Sequence, residues 1–390
     1  MSKKQSYYIQ TDLISIFILL VCVSLLSIYN AQQLEQYSAN FMLQQSVWFT
    51  VGIGIVAAIQ YLDMEQIYKV SIYIYAFGVF VLFVLLISPE SIAPHTNGAK
   101  SWFNFKVVTI QPSEFTKITT IIYMATVIQK HKEKFLKPTL KSDFKLLIKI
   151  LTVVALPVAL IMMQSDFGTS MVYLFIAGVI IILSGIHWKI ITTLIVSITS
   201  VIGAALAFIV KFPDLAKQLV GEGQKYQIDR ILTWFDPSQQ ASDANWHFNQ
   251  AFMALGSGQL FGKGMGSQEV SFPEAQTDFI FSIIGESFGF VGGALVIFLY
   301  FIFLYKLVMI GLSIYSHSPF SAYICFGFMS LLLIHVFQNI GMALGIMPVT
   351  GIPLLFISYG GSSVMASMLG FGVIYRIAVE NSIQNDYLFK

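Results

Sequence analysis

The stretch Phe272-Pro-Glu-Ala-Gln-Thr-Asp-Phe-Ile-Phe281 carries a long polar segment into an apolar one, and its reading decides the fold. Glu274, Gln276 and Thr277 precede Asp278, and nearly everything after it through residue 305 is apolar. A membrane-spanning helix needs such a run, about 20 residues rising 1.5 Å each. A carboxylate at the mouth of a spanning helix is costly to desolvate and marks a functional candidate.

Working outward, similar apolar runs fill the chain. Candidate spans lie at roughly 13–30, 44–61, 70–88, 107–128, 146–164, 168–185, 188–210, 278–306, 321–344 and 354–379. The expectation is an all-α polytopic membrane protein of about ten transmembrane helices, with residues 1–390 forming one integral membrane domain. Composition agrees: 56% of the residues are hydrophobic and only 11% charged, against about 25% charged in soluble domains. Cys22 and Cys325 both lie in apolar runs, which argues against a disulfide framework and a zinc site. Scattered lysines give no nucleic-acid footprint. The apolar run from about Leu13 to Tyr29 lacks a following small-residue cleavage pattern and reads as an uncleaved first span.

Orientation follows from one loop. Lys130, Lys132, Lys134, Lys137, Lys141 and Lys145 face only Glu133 and Asp143 there, an excess expected on the cytoplasmic side of the membrane. Counting outward places Lys3, Lys4, Lys69, Lys189, Lys306 and Arg376 on that side, with both termini cytoplasmic. The loops 89–106, Gln164–Thr169, 211–277 and 345–353 then lie outside. The longest, about 211–277, holds Trp234, Phe235, Trp246 and Phe248, which suggest amphipathic pieces at the interface. The run Gly256–Gly266 has the glycine density of a phosphate loop but no preceding strand, so it reads as backbone turns. No internal repeat supports an inverted-repeat transporter.

Four ionisable groups converge on the outer side. In Gln111-Pro-Ser-Glu-Phe-Thr-Lys117, Glu114 and Lys117 are three apart and share a helix face. They form either an ion pair that lets two charges sit in the membrane, or a cation held ready for an anionic ligand. Asp166 is either a helix N-cap or a cavity carboxylate. Asp278 is either an N-cap, a task Thr277 could take, or a general base whose partial desolvation raises its pKa. Asn97-Gly-Ala-Lys-Ser-Trp-Phe103 offers Asn97, Lys100 and Trp102 as an interfacial anchor or a pocket wall. Ser358, Gly360, Gly361, Ser362 and Ser363 permit close packing or leave room for a ligand. Glu286 is expected on a neighbouring part of the Asp278 helix face, and His335 with Gln338 in interhelical hydrogen bonds.

Taken together, Asn97–Phe103, Gln111–Lys117, Gln164–Thr169, Gly256–Gly264, Pro273–Glu286 and Gly341–Ser363 resemble the signatures of the SEDS family of bacterial cell-wall polymerases, the RodA and FtsW proteins. Ser88–Pro94 and the short C-terminal tail are closer to the RodA branch of Gram-positive bacteria. The resemblance implies a ten-helix SEDS fold and a peptidoglycan glycosyltransferase that polymerises lipid II outside the membrane during elongation. It places the catalytic aspartate on Asp278 and cavity residues on Glu114, Lys117, Asp166 and Trp102. Gln111, Ser113, Thr169, Glu274 and Thr277 lie within the same motifs and join the expected substrate-binding set. Lys100 stands where arginine is common, and Ser165 and Phe167 replace a usual proline and leucine. The outer face has no nucleotide pool, so a polymerase there needs an already activated, lipid-linked diphosphate. Lys117, or a divalent cation (Mg or Mn) held by carboxylates, would stabilise the departing diphosphate. The implied partners are lipid II, a class B penicillin-binding protein, the elongation machinery and membrane lipids. A lipid II flippase is the rival reading, and a pure scaffold for a transpeptidase is a third. A flippase needs polar groups reachable from both faces, whereas these charges gather on one.

Overall fold

The computed structural model describes residues 9–34, 40–96, 98–105, 108–219, 228, 232 and 243–388. Every expected span contains a helix: α1 Thr11–Gln32, α2 Phe41–Ile59, α3 Met64–Ile87, α4 Pro112–Lys134, α5 Leu140–Met163, α6 Phe167–Leu183, α7 Trp188–Lys211, α10 Ile280–Ile314, α11 Pro319–Ala343 and α12 Gly361–Leu388. Among the described residues of the long loop lie α8 Pro213–Leu219 and α9 Asp243–Ser257. Trp246 and Phe248 fall on α9, whereas Trp234 and Phe235 lie outside the described residues. A two-residue hairpin, β1 Phe103–Asn104 with β2 Thr109–Ile110, precedes α4.

Eight of these helices are long and apolar enough to cross a membrane. The chain is therefore a multi-pass membrane protein. Of the other two expected spans, α6 is apolar but has 17 residues, and α4 carries Glu114, Lys117 and a basic last turn. The last helix starts at Gly361 and not near 354; Phe356, at φ 68°, takes the left-handed conformation that a helix cannot continue through.

Local chemistry starts the helices where they start. Asn40 accepts from Leu43 N at α2, Thr139 and Ser142 form a capping box at α5, and Ser318 accepts from Ser321 N with Pro319 in the first turn of α11. Packing then sorts them by depth. Of the spanning stretch of α11, 78% is buried, against none of that of α7. Around α11 pack α4, α6 and α10, while α12 packs on α2 and α4.

The helix α10 is broken. Gly289 sits at φ 65°, ψ −163° inside it. The backbone groups freed by the break are met by the glycine run: Phe290 N donates to Gln259 O (2.8 Å), and Lys263 N and Gly264 N donate to Glu286 O and Ser287 O (2.9 and 3.0 Å). The approach needs glycine, since a Cβ on Gly262 would stand 2.2 Å from Ser287 O. The glycine run is thus a set of turns that plugs a helix break.

Candidate active site

The N-termini of α4 and α6, the turn 273–279 and the loop after α11 meet at one end of the bundle and enclose a cavity of about 350 Å³. Asp278 lines it from that turn, one residue before the N-cap position of α10, which Phe279 holds without a side-chain cap. The N-cap position itself thus falls on Phe279, and Asp278 lines the cavity beside it. A lattice of buried bonds fixes the turn from beneath. Asn339 Nδ2 donates to Asp278 O (2.8 Å) and to Ile352 O (2.9 Å). Ser358 Oγ donates to Thr277 O (2.7 Å), and Tyr359 N to Gln276 O (2.9 Å). These bonds tie the Asp278 turn to the loop carrying Gly351, which stands directly against the carboxylate.

Lys117 and Glu114 form a buried ion pair, Nζ to Oε1 2.8 Å, with the lysine side chain 2% exposed. A third group completes it. His335 Nε2 lies 3.2 Å from Lys117 Nζ, and its Nδ1 lies 2.8 Å from Pro353 O. A carbonyl can only accept, so Nδ1 carries the proton and Nε2 accepts from the ammonium. Lys117 thus spends two of its three donors, and the residue lines the cavity. His335 thus bonds between helices as expected, whereas Gln338 bonds to the loop that follows its own helix, its Nε2 donating to Pro348 O.

Asp166 caps α6 and also lines the cavity. Its Oδ1 accepts from Thr169 N (3.0 Å), and its Oδ2 from Thr169 Oγ1 (2.9 Å) and Gln111 Nε2 (3.3 Å). Ser165 beside it has φ 61°. A pyrrolidine ring forbids that angle, so the serine in place of proline gives this turn its own shape.

The sequence model of the FtsW/RodA/SpoVE family, described as a cell cycle protein, matches residues 4–383. The chain belongs to this family. It is 32% identical over 303 residues to the peptidoglycan glycosyltransferase MrdB of Escherichia coli strain K12, covering 76% of this chain and 75% of that one. It is 31% identical over 400 aligned positions to the peptidoglycan glycosyltransferase RodA of Treponema pallidum, covering 86% and 89%. A chain in a solved peptidoglycan synthase complex, described for the structural coordination of polymerization and crosslinking, superposes with a TM-score of 0.77. It is 23% identical and matched over 96% of this chain and 99% of its own length, a likeness of fold.

Of the residues singled out from sequence, Trp102, Gln111, Glu114, Lys117, Asp166, Thr169, Glu274, Thr277 and Asp278 line the cavity together. Asn97 lies outside the described residues. Lys100 turns away from the cavity: its Nζ donates to Leu86 O (3.0 Å) and Ser88 O, meeting carbonyls at the end of α3. Ser113 is buried behind the wall, its carbonyl accepting from Tyr173 OH. The small residues also take structural places. Ser358 and Ser362 bond backbone, Gly360 N meets Gln45 Oε1, a Cβ on Gly361 would stand 2.7 Å from the Trp48 ring, and Ser363 is absent from the lining. Glu286 faces Lys263 and Glu269 N in the glycine plug, and not the cavity of Asp278.

Sequence reasoning missed Tyr359, Gly351 and Thr350 in the lining and Asn339 behind it. A signal existed for Asn339, a primary amide inside an apolar helix one residue from Gln338. Nothing local marked Tyr359.

Proposed function

We propose that this chain is a peptidoglycan glycosyltransferase, polymerising lipid II into glycan strands at the outer face of the bacterial cytoplasmic membrane during cell elongation and shape maintenance. One observation carries the reading. In a chain of this family, a carboxylate fixed by its own backbone bonds, Asp278, shares a small cavity with a buried lysine that keeps a donor to spare.

Asp278 removes the proton from the C4 hydroxyl of the acceptor's N-acetylglucosamine. That oxygen attacks C1 of the donor's N-acetylmuramic acid, and the bond to undecaprenyl diphosphate breaks with inversion. Lys117 supplies the counter-charge to the departing diphosphate, held in place by Glu114 and by the neutral His335. Among the described residues no group of three or more His, Cys, Asp or Glu side chains is placed to hold a metal ion. Asp166, Gln111 and Thr169 form a hydrogen-bonded wall suited to a sugar.

We also read α4 and α6 as the two spans that bring the total to ten, their polar and short segments tolerated inside the bundle. The lysine-rich loop is then cytoplasmic and the cavity extracytoplasmic. The ionisable groups lining the cavity gather at one end of the bundle, which supports a polymerase over a flippase. A class B penicillin-binding protein is the proposed partner. The deciding experiment is glycan synthesis by purified protein supplied with lipid II and that partner. Strand formation is expected, and lipid II movement between leaflets without polymer would overturn the reading.

A further inference from the structure

The helix α7 stands apart from the bundle: of its 24 residues only Ile191 is buried. Between its first turns and those of α5 lies a cleft of about 670 Å³. Phe144 and Leu147 of α5 and Leu194 of α7 give it apolar walls, and Lys141 and Lys189 stand on either side. Both lysines are exposed, and neither ammonium has a carboxylate partner among the described residues. The nearby acid, Asp143, is turned inward, accepting from Ser142 Oγ (3.2 Å) and His187 N (3.0 Å). The catalytic cavity is at the other end of α5, a helix of 24 residues and so about 36 Å long.

We propose that this cleft binds an anionic diacyl phospholipid, its headgroup phosphate between Lys141 and Lys189 and its acyl chains between α5 and α7. In a membrane, acyl chains gain no hydrophobic free energy by exchanging lipid for protein neighbours, so selectivity rests on the headgroup. Two unpaired lysines at the mouth of an apolar cleft between helices supply that selectivity for a phosphate with net negative charge. The lipid replaces the protein neighbour that α7 lacks on this side. The leaflet follows from the orientation proposed above; the site itself does not depend on the catalytic reading.

The test is native mass spectrometry of the purified full chain titrated with phosphatidylglycerol and with phosphatidylcholine of the same acyl chains. Two lysines predict roughly 30-fold tighter retention of phosphatidylglycerol. Lys141→Gln/Lys189→Gln should abolish that preference. Thr193→Trp, which fills the cleft with its charge intact, should weaken phosphatidylglycerol retention. Lys134→Gln/Lys137→Gln, the same loss of charge on exposed positions outside the cleft, should leave it unchanged. Equal retention of the two lipids overturns the site, as does an equal effect of the control pair, which would mean diffuse surface charge. Undiminished binding by the Thr193→Trp variant also overturns it, and tighter retention of undecaprenyl phosphate would assign the cleft to a different lipid.

Discussion

Gly351 passes close over the carboxylate of Asp278. Its φ is +71°, and a Cβ placed on it would stand 3.1 Å from Asp278 Oδ2. The left-handed backbone and the missing side chain therefore serve one end: the loop passes the carboxylate without covering it. Asn339 fixes that relation, since one amide group holds the carbonyls of Asp278 and Ile352 together.

Asp278→Asn keeps the size and the backbone bonds of the turn but removes the proton acceptor. Glycan synthesis by the purified variant is expected to fall by a factor of about 100 or more, the usual share of a general base. Thermal unfolding in detergent should be little changed. Near-normal strand synthesis would take the base assignment away from Asp278.

Gly351→Ala should separate activity from stability in a different way. An L side chain in the left-handed region costs about 1–2 kcal/mol, and the new methyl crowds Asp278 Oδ2. Polymerisation should drop more than 10-fold, with only a modest loss of thermal stability. A variant with full activity would show that the loop moves away from the carboxylate before catalysis.

Eight of the helices were legible in the sequence because they are apolar runs of spanning length, a signal that tertiary packing does not blur. Asp278, Glu114, Lys117 and Asp166 were legible for a related reason: each interrupts or borders such a run, and burying a charge there demands a partner. Tyr359 and Gly351 were not, because their places are set by bonds between the loop 344–360 and the turn 273–279, some 80 residues apart in the chain. Lys100 misled because a cation near an outer loop reads as a ligand contact, while its partners were neutral carbonyls at the end of α3.

Orientation is open to direct measurement. In a Cys22→Ala/Cys325→Ala background, cysteine at Lys137 or at Ser267, both exposed, should react oppositely with an impermeant maleimide on whole cells. Ser267→Cys is expected to label at once and Lys137→Cys only after permeabilisation, from the lysine bias. The reverse pattern would place the cavity on the cytoplasmic face.

Glu286 is fully buried and pairs with Lys263 of the glycine plug, Nζ to Oε1 2.9 Å. Desolvation lowers the Lys263 pKa, but its bonds to Glu286 and Glu269 outweigh that and leave it raised above the usual 10.5. A raised lysine contributes its stability below the unfolded value and loses it as pH climbs through the folded one, so the plug should hold at every pH below about 10.5. Lys263→Met strands a buried carboxylate and should destabilise the protein by about 3 kcal/mol. Adding Glu286→Met should restore much of the loss, read as recovery of the unfolding midpoint. No recovery would mean that Glu286 is needed by something other than Lys263.

The Glu114–Lys117 pair decides whether the cavity's cation is catalytic or merely neutralised. If the two charges only cancel, Glu114→Gln combined with Lys117→Met should regain the function that either single change loses, because no unpaired charge stays buried. If Lys117 faces the diphosphate, the double variant should remain inactive at normal membrane levels, since the leaving group has lost its counter-charge. The double-mutant cycle is scored for both abundance and glycan synthesis, so folding and chemistry separate. The geometry favours the second outcome: Glu114 and His335 occupy two of the ammonium's donors, and the lysine still lines the cavity that Asp278 shares. Full activity in the double variant would return the pair to a purely structural role and leave the diphosphate to another group.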